Sequence, residues 1–308
     1  MGKTAFLFPG QGAQKLGMGK EFFDEFQTAR TVFEEASDAL SLDMKKLVFE
    51  DPDQKLNLTE YTQPAILTTS VAILRVLQEH GIEGDVTAGL SLGEYAALVY
   101  AGAFDFETAV RLVKVRGKLM QEAVPAGIGG LAAVVGLPIE KIEELVAQTQ
   151  NGFVKVANYN TPMQTVVGGE IQALEGLVER AKEAGAKIAS LLPVSAPFHT
   201  EMLKPAQVGL AKEMETMAVN PLSVPVYANV TGGLYPDETA VKGLLAEQVA
   251  NPVRWVAIME ALLEEGVEQF VEIGPGKTLT GFVKRFDKSK KSFAVENLKG
   301  LSKLLKVK

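Results

Sequence analysis

A serine flanked by glycines is the strongest chemical signal in this sequence. Gly89, Ser91 and Gly93 form a G-x-S-x-G pattern between a short apolar stretch and a helical stretch. In a strand–turn–helix setting the glycines permit a tight turn, which holds the serine hydroxyl out at the carboxyl edge of a sheet. The N–H of Leu92 and the start of the following helix then lie close to an oxyanion that develops on a bound substrate. The pattern alone fits an ordinary turn as well, but this setting favours a nucleophilic serine.

The base that a serine nucleophile needs has few candidates. The chain contains two histidines, His80 and His199, and no cysteine. His80 ends a helical stretch, where a histidine commonly interacts with the helix C-terminus. His199 lies at the break between a strand and the next helix, which is a rim position that suits a catalytic group. A capping or core-edge role is the alternative for His199, but the presence of Ser91 favours a general base.

An arginine lies on the apolar face of a predicted helix over residues 106–123. Leu112, Val113 and Met120 share that face, and Arg116 falls on it by three- and four-residue steps. A guanidinium directed inward must be paired, because an unpaired buried charge is costly. Its partner is either a buried carboxylate of the fold or a carboxylate of the substrate, held by two parallel hydrogen bonds. Periodicity alone favours the first.

Composition and failed motifs exclude several other functions. The formal net charge of −7 argues against nucleic-acid binding, because no positive excess faces phosphates. Two histidines and no cysteine leave no cluster for zinc, so we expect no metal site, although a magnesium site made of carboxylates alone stays open. A dinucleotide motif would need glycine in place of Lys15, and a P-loop would need it in place of Val271, so we expect no cofactor. The chain shows no signal peptide and no transmembrane stretch, which predicts a cytoplasmic protein without membrane contact.

Strands and helices alternate along most of the chain, which predicts an α/β fold with a mainly parallel sheet flanked by helices. Residues 127–196 show the order βαββαβ, the ferredoxin-like pattern, so we expect a small domain inserted into a large catalytic domain of residues 1–126 and 197–308. The lysine-rich stretch from Lys284 is interpreted as a solvated face. The predicted strands span residues 4–8, 85–90, 131–135, 154–158, 165–168, 187–192, 225–228 and 267–273, and the predicted helices span 19–40, 64–78, 94–101, 106–123, 138–149, 171–184, 201–216 and 253–265.

Several short blocks in a fixed order identify a family. They are Phe8–Gly12 (FPGQG), Tyr61–Ala65 (YTQPA), Ser91–Tyr95 (SLGEY), Arg116–Gly117 with Met120, Pro197–His199 (PFH), Asn251–Val253 (NPV) and Glu272–Gly276 (EIGPG). With these blocks, nearly end to end, the chain resembles the malonyl-CoA:acyl-carrier-protein transacylases of bacterial fatty acid synthesis. Related acyltransferase domains occur in polyketide synthases. The resemblance implies a hydrolase-like core for the predicted α/β fold.

The resemblance also implies roles for the reacting groups. Ser91 would carry the malonyl ester, and His199 would be the base that activates it. The backbone amides of Gln11 and Leu92 would form the oxyanion hole. Gln248 matches the position whose main-chain carbonyl orients the histidine, so the family works as a Ser–His dyad without an essential acid.

Substrate selection is implied by three further positions. Arg116 would bind the free malonyl carboxylate, which reverses the preference from periodicity. Phe198, directly before the histidine, resembles the malonyl-selecting form, whereas methylmalonyl-selecting relatives have serine there. The family usually has histidine before the nucleophile, as G-H-S-L-G, and this chain has Leu90. That departure puts the local polarity and the fine substrate selection in doubt.

The expected reaction is ping-pong transfer of malonyl from malonyl-CoA to the phosphopantetheine thiol of an acyl carrier protein, by an enzyme that we expect to be a monomer. A trans-acting acyltransferase of a polyketide pathway is one alternative. A serine hydrolase such as a thioesterase is another, because an acid partner anywhere between Ser91 and His199 would complete a triad. A catalytically silent carrier-binding scaffold is the last and predicts no covalent label on Ser91.

Overall fold

The computed structural model describes residues 2–125, 127–194 and 196–307. Position 126, where one predicted domain boundary falls, and positions 1 and 308 lie outside the described residues. The strands are β1 (Lys3–Phe8), β2 (Val86–Gly89), β3 (Gly129–Val135), β4 (Val154–Thr161), β5 (Gln164–Glu170), β6 (Ile188–Leu191), β7 (Val226–Tyr227), β8 (Val267–Ile273) and β9 (Lys291–Val295).

The helices follow the strands in alternation along most of the chain. They are α1 (Lys20–Glu25), α2 (Gln27–Leu40), α3 (Met44–Phe49), α4 (Thr59–Glu79), α5 (Gly93–Tyr100), α6 (Phe106–Glu122), α7 (Ile139–Ala147), α8 (Ile171–Glu183), α9 (Lys204–Met214), α10 (Val241–Ala250), α11 (Trp255–Glu264), α12 (Thr278–Phe286) and α13 (Leu298–Leu305). Two short 3₁₀ turns, Glu201–Leu203 and Glu238–Ala240, precede α9 and α10. No helix among the described residues is both long and apolar enough to cross a bilayer.

The larger sheet is parallel and has the strand order β7-β2-β1-β8-β9. Its central strand β1 is buried on both faces, because successive side chains of a strand point to opposite sides. Phe6 and Phe8 pack into the main core cluster, whereas Ala5 and Leu7 pack into a second cluster on the other face. Helices therefore cover both faces of the sheet, and the predicted α/β fold is confirmed.

The smaller sheet is antiparallel and has the strand order β4-β5-β3-β6. Helices α7 and α8 lie against it, and together they bury a third cluster of apolar side chains. The chain order within this unit is βαββαβ, so the predicted ferredoxin-like pattern is confirmed. The division of the chain into residues 1–126 with 197–308 and residues 127–196 remains a prediction.

Helices α4 and α6 cross at close range beside the larger sheet. Asp105 caps the start of α6, where its carboxylate accepts a hydrogen bond from the N–H of Thr108 at 2.7 Å. A side chain at Gly117 would place its Cβ 2.6 Å from the carbonyl oxygen of Thr59, so only glycine fits at this crossing. The close approach brings the preceding residue, Arg116, next to Gln63 of α4.

Several predicted elements differ from the observed ones. The predicted helix 19–40 is divided into α1 and α2 at Phe26, whose backbone is extended. Helix α4 begins before Pro64, at Thr59, rather than at the proline. Helices α3, α10, α12 and α13 were not predicted, nor was strand β9. The lysines of the C-terminal stretch from Lys284 are mostly exposed, as the solvated-face interpretation requires, but the same stretch adds β9 to the sheet and α13 to its packing.

Candidate active site

The serine lies on a sharp turn between β2 and α5. Its backbone is left-handed, with φ of 54°. A Cβ at Gly89 would lie 1.9 Å from the carbonyl of Gly93, and a Cβ at Gly93 would lie 2.1 Å from the carbonyl oxygen of Phe8. Both glycines are therefore required by backbone contacts, which is the steric reason for the predicted G-x-S-x-G turn. The N–H of Ser91 donates to Oδ1 of Asn229 at 2.6 Å and so secures the strained residue.

The serine and the second histidine are in direct contact. Oγ of Ser91 lies 2.7 Å from Nε2 of His199, although 108 residues separate them in the chain. Nδ1 of the same ring lies 2.8 Å from the main-chain oxygen of Gln248. Because a carbonyl oxygen only accepts, Nδ1 carries the proton and Nε2 is left to accept from the serine hydroxyl. Among the described residues no carboxylate forms a hydrogen bond with His199, so this arrangement lacks the acid of a triad.

The environment keeps this histidine neutral. His199 is buried, with 4% of its surface exposed. Burial, followed by the positive charge of Arg116, lowers its pKa to about 4, while the backbone hydrogen bonds of Gln248 and Asn251 act in the opposite direction. At neutral pH the ring can therefore accept a proton from Ser91.

The other histidine has a structural position. Nδ1 of His80 lies 2.8 Å from the carbonyl oxygen of Val76 at the end of α4, and its ring packs edge-on against Phe26. The predicted interaction of this histidine with a helix C-terminus is confirmed.

The arginine of α6 is buried beside the serine with only neutral partners. Arg116 has 1% of its surface exposed. Its Nη1 donates to Oε1 of Gln63 at 2.8 Å, and its Nη2 donates to Oε1 of Gln248 at 2.7 Å and to Oγ of Ser91 at 3.1 Å. No carboxylate of the described residues forms an ion pair with it, so the fold's own carboxylate, which periodicity alone favours as a partner, is not found. Burial lowers the pKa of Arg116, while Tyr95 and Glu94 oppose this shift.

The two predicted oxyanion donors lie on neighbouring loops. Phe8 and Gly89 are paired at the ends of β1 and β2, so the loops that follow them run side by side. A Cβ at Gly10 would lie 2.4 Å from the carbonyl oxygen of Leu90, which shows how closely these loops approach. Gln11 follows on the first loop and Leu92 on the second, where Leu92 is the residue before α5. Neither backbone N–H donates a hydrogen bond within the described chain, so both can donate to a bound oxyanion.

Two apolar residues adjoin the reacting groups. Phe198 is buried in the main core cluster and immediately precedes the histidine, whose φ of 60° is left-handed. Leu90 is half-buried and packs against the second cluster, together with Leu7 and Ala88 of the neighbouring strands. The leucine that stands where the family usually has histidine therefore makes an apolar contact on the sheet.

A polar network beneath the site was not predicted. It consists of Glu94, Asn229, Tyr235 and the side chain of Gln248, all buried. Its members come from α5, α10 and the segment after β7, and up to 154 residues separate them. The only sequence signal was indirect, because Glu94 belongs to the SLGEY block. Within the described part of the chain no group of three or more metal-ligating side chains could hold a metal ion.

Comparisons with known proteins consistently find acyltransferases. The family model described as "acyl transferase domain" matches residues 5–304. The chain is 44% identical over 299 residues to the malonyl CoA-acyl carrier protein transacylase of Bacillus subtilis, covering 96% of this chain and 94% of that protein. It is 44% identical over 287 residues to the transacylase of the same name from Escherichia coli K12, covering 92% and 93%.

Solved structures resemble it equally closely. A malonyl CoA-acyl carrier protein transacylase from Clostridium perfringens superimposes with a TM-score of 0.96 at 48% identity, covering 99% of this chain and 96% of that one. A malonyl-transacylase solved in complex with its type II polyketide acyl-carrier protein superimposes with a TM-score of 0.96 at 42% identity, covering 99% and 100%.

Proposed function

The chain belongs to the acyl transferase domain family, and we propose that it transfers the malonyl group of malonyl-CoA to the phosphopantetheine thiol of an acyl carrier protein. One observation carries the choice of acyl group. Arg116 is a buried guanidinium with no carboxylate of the described chain to pair with, and it touches the hydroxyl of Ser91. An acyl group that ends in a carboxylate supplies the missing partner.

The first half-reaction forms a malonyl ester on the serine. Nε2 of His199 takes the hydroxyl proton of Ser91 as Oγ attacks the thioester carbon. The carbonyl oxygen becomes an oxyanion that accepts hydrogen bonds from the N–H groups of Gln11 and Leu92. The C–S bond then breaks, and the departing coenzyme A sulfur takes the proton from the histidine.

The arginine gains its partner as the ester forms. In the free site one N–H of Nη2 donates to Oγ of Ser91, which still has acceptor capacity as a hydroxyl. Once Oγ carries the acyl group it becomes a weaker acceptor, so that N–H is available to the malonyl carboxylate. The planar guanidinium can then hold the carboxylate through two parallel hydrogen bonds in a site shielded from water. Phe198, directly before His199, supports the same choice, because the malonyl-selecting form of the family has phenylalanine at this position.

The second half-reaction repeats the chemistry with a different nucleophile. His199 takes the proton of the carrier's phosphopantetheine thiol, and the sulfur attacks the malonyl ester of Ser91. The C–O bond breaks and Oγ recovers the proton from the histidine. The main-chain carbonyl of Gln248 supports both steps, because it holds the imidazole in the tautomer that leaves Nε2 free to accept.

A carrier of a polyketide pathway is the second candidate acceptor. The observation that favours it is the close structural likeness to a malonyl-transacylase bound to a type II polyketide carrier. Transfer rates to a fatty acid carrier and to a polyketide carrier, measured side by side, would separate the two. We further propose that the enzyme acts in the cytoplasm as a monomer, and light scattering on the purified protein tests the monomer.

The experiment that tests the function is the intact-protein mass after brief mixing with malonyl-CoA. We expect one malonyl adduct on the wild type, its loss in Ser91→Ala, and its discharge when holo acyl carrier protein is added. Malonate that accumulates in solution without transfer to the carrier would support a hydrolase instead. No adduct and no turnover would support the silent scaffold.

The pH dependence of serine acylation follows from the lowered pKa of His199. The base works when it is neutral, so a pKa of about 4 predicts a rate that falls only as the pH approaches about 4, whereas an ordinary histidine would lose activity near about 6.5. Glu94 can add an inflection of its own near pH 7, because burial raises its pKa to about 7. The profile is therefore measured by rapid quench in the wild type and in Glu94→Gln. An inflection near pH 6.5 that persists in Glu94→Gln would contradict the prediction.

A further inference from the structure

One glutamine connects the serine, the histidine and the arginine of the proposed site. The main-chain oxygen of Gln248 accepts from His199, and its side-chain Oε1 accepts from Nη2 of Arg116 at 2.7 Å. Its Nε2 donates to the main-chain oxygen of Ser91 at 3.0 Å and to Oε2 of Glu94 at 2.5 Å. The residue has no exposed surface. The main chain of Gln248 thus orients the base His199, whereas its side chain accepts a hydrogen bond from Arg116.

The two ends of that side chain are not interchangeable. The oxygen and the nitrogen of a primary amide have almost the same shape but opposite hydrogen-bonding capacity. If the amide of Gln248 turned over, its NH₂ group would face the guanidinium of Arg116, which has only donors. The guanidinium would then lose an acceptor inside a buried site, where an unsatisfied charged donor is costly. The position of the arginine therefore depends on what holds this amide in one orientation.

Glu94 is the group that holds it. Glu94 has 1% of its surface exposed. Its carboxylate accepts hydrogen bonds from three donors: Nε2 of Gln248, the hydroxyl of Tyr235 at 2.5 Å, and the N–H of Asn229 at 3.3 Å from each oxygen. In its ionised form this carboxylate accepts on both oxygens, and it then admits only the NH₂ end of the glutamine. Burial raises its pKa, while these three donors and the charge of Arg116 oppose that shift. No ion pair joins Glu94 to Arg116; besides the attraction of their charges, the hydrogen bonds of Gln248 are what connect the two groups.

We propose that Glu94 is a positioning residue that selects for carboxylated acyl groups by orienting the side chain of Gln248, which in turn holds the guanidinium of Arg116. This inference rests on the proposed function, because it assigns the structural basis of its substrate choice. The carboxylate of Glu94 forms no hydrogen bond with Ser91, His199 or Arg116; its partners are Asn229, Tyr235 and Gln248. Its contribution is therefore to the preference for malonyl over acetyl rather than to the acyl transfer step itself.

The test is a double-mutant cycle read out as the malonyl-to-acetyl preference. The rates of Ser91 acylation by malonyl-CoA and acetyl-CoA are measured for the wild type, Glu94→Gln, Gln248→Met and the double variant. An amide at position 94 can present NH₂ to the glutamine, so we expect Glu94→Gln to lower the preference about tenfold. In the Gln248→Met background, which keeps the main-chain carbonyl for His199, Glu94→Gln should change the preference by less than about twofold.

Two results would overturn the proposal. Equal effects of Glu94→Gln in both backgrounds would show that it does not act through Gln248. A rise in malonyl preference would show that Glu94 acts only through its negative charge, since removal of that charge strengthens the attraction of Arg116 for an anion. The control is Glu272→Gln, which removes a buried carboxylate that accepts from the N–H groups of Leu279 and Thr280. It should lower the melting temperature but leave the preference unchanged.

A structure of the variant without substrate tests the positioning role of Glu94 independently of the proposed function. In a neutron crystal structure of free Glu94→Gln, which distinguishes the amide nitrogen from the oxygen, we expect the hydrogen bond between Oε1 of Gln248 and Nη2 of Arg116 to be lost or divided between two amide orientations. Retention of that single bond as in the wild type would overturn the positioning role. If the wild type forms no malonyl adduct, the proposed function fails, and the crystal structure still decides the geometry.

Discussion

Replacing His199 by alanine is expected to slow the acylation of Ser91 by malonyl-CoA about 10²- to 10⁴-fold, the usual contribution of a positioned general base. Nε2 of this histidine lies 2.7 Å from Oγ of the serine, and no other described base forms a hydrogen bond with that hydroxyl. The rate is measured in a single turnover by rapid quench and intact-protein mass. The variant should remain folded, because His199 contributes no ion pair to the core.

The matched control is His80→Ala, which removes the other histidine of the chain. It caps the end of α4 and should leave the acylation rate within about twofold of the wild type, as substitutions away from a site usually do. Added imidazole should restore part of the rate in His199→Ala by entering the space that the ring occupied. A wild-type rate in His199→Ala would show that the serine is activated by another group.

The second large effect is expected for Arg116→Ala. Loss of one partner of a buried charge pair costs about 2–5 kcal/mol, so kcat/KM for malonyl-CoA should fall about 30- to 4,000-fold. Acetyl-CoA has no carboxylate to lose, so its kcat/KM should fall far less, and the preference for malonyl should disappear. The measurement is steady-state transfer of both acyl groups to a carrier protein.

Two further variants sharpen this prediction. Arg111→Ala removes an exposed arginine of the same helix, which pairs with Glu107, and should leave both substrates unaffected. Arg116→Lys keeps the charge but not the planar fork, so it should recover only part of the malonyl rate. If Arg116→Ala slowed malonyl and acetyl transfer equally, the arginine would serve only to hold Oγ of Ser91, and its role as the carboxylate ligand would be wrong.

The fold was predictable where local patterns decide it. The alternation of strands and helices and the βαββαβ order both follow from hydrophobic periodicity, and both predictions are confirmed. Weak local patterns account for the omissions. Helix α10, which carries Gln248, and strand β9, which lies among lysines, are stabilised by packing against distant elements. Their sequences therefore gave little signal.

Arg116 shows what hydrophobic periodicity can predict about a side chain, its burial, and what it cannot, its partners. Its spacing with Leu112, Val113 and Met120 correctly indicates that Arg116 is buried. Spacing carries no information about what faces a buried side chain, and the carboxylate partner that it favoured is not found in the described chain. The observed acceptors are amide oxygens of Gln63 and Gln248, which lie 53 and 132 residues away.

The sequence by itself determined the turn that presents Ser91, because Gly89 and Gly93 lie four residues apart and a Cβ at Gly89 would lie 1.9 Å from the carbonyl of Gly93. It also limited the base to one of two histidines. The tertiary structure alone decided that His199 reaches Ser91, that Arg116 meets no carboxylate, and that Glu94 lies beneath Gln248. Each of these contacts joins segments far apart in the chain, and their distances depend on how the parallel strands are ordered, which no local pattern specifies.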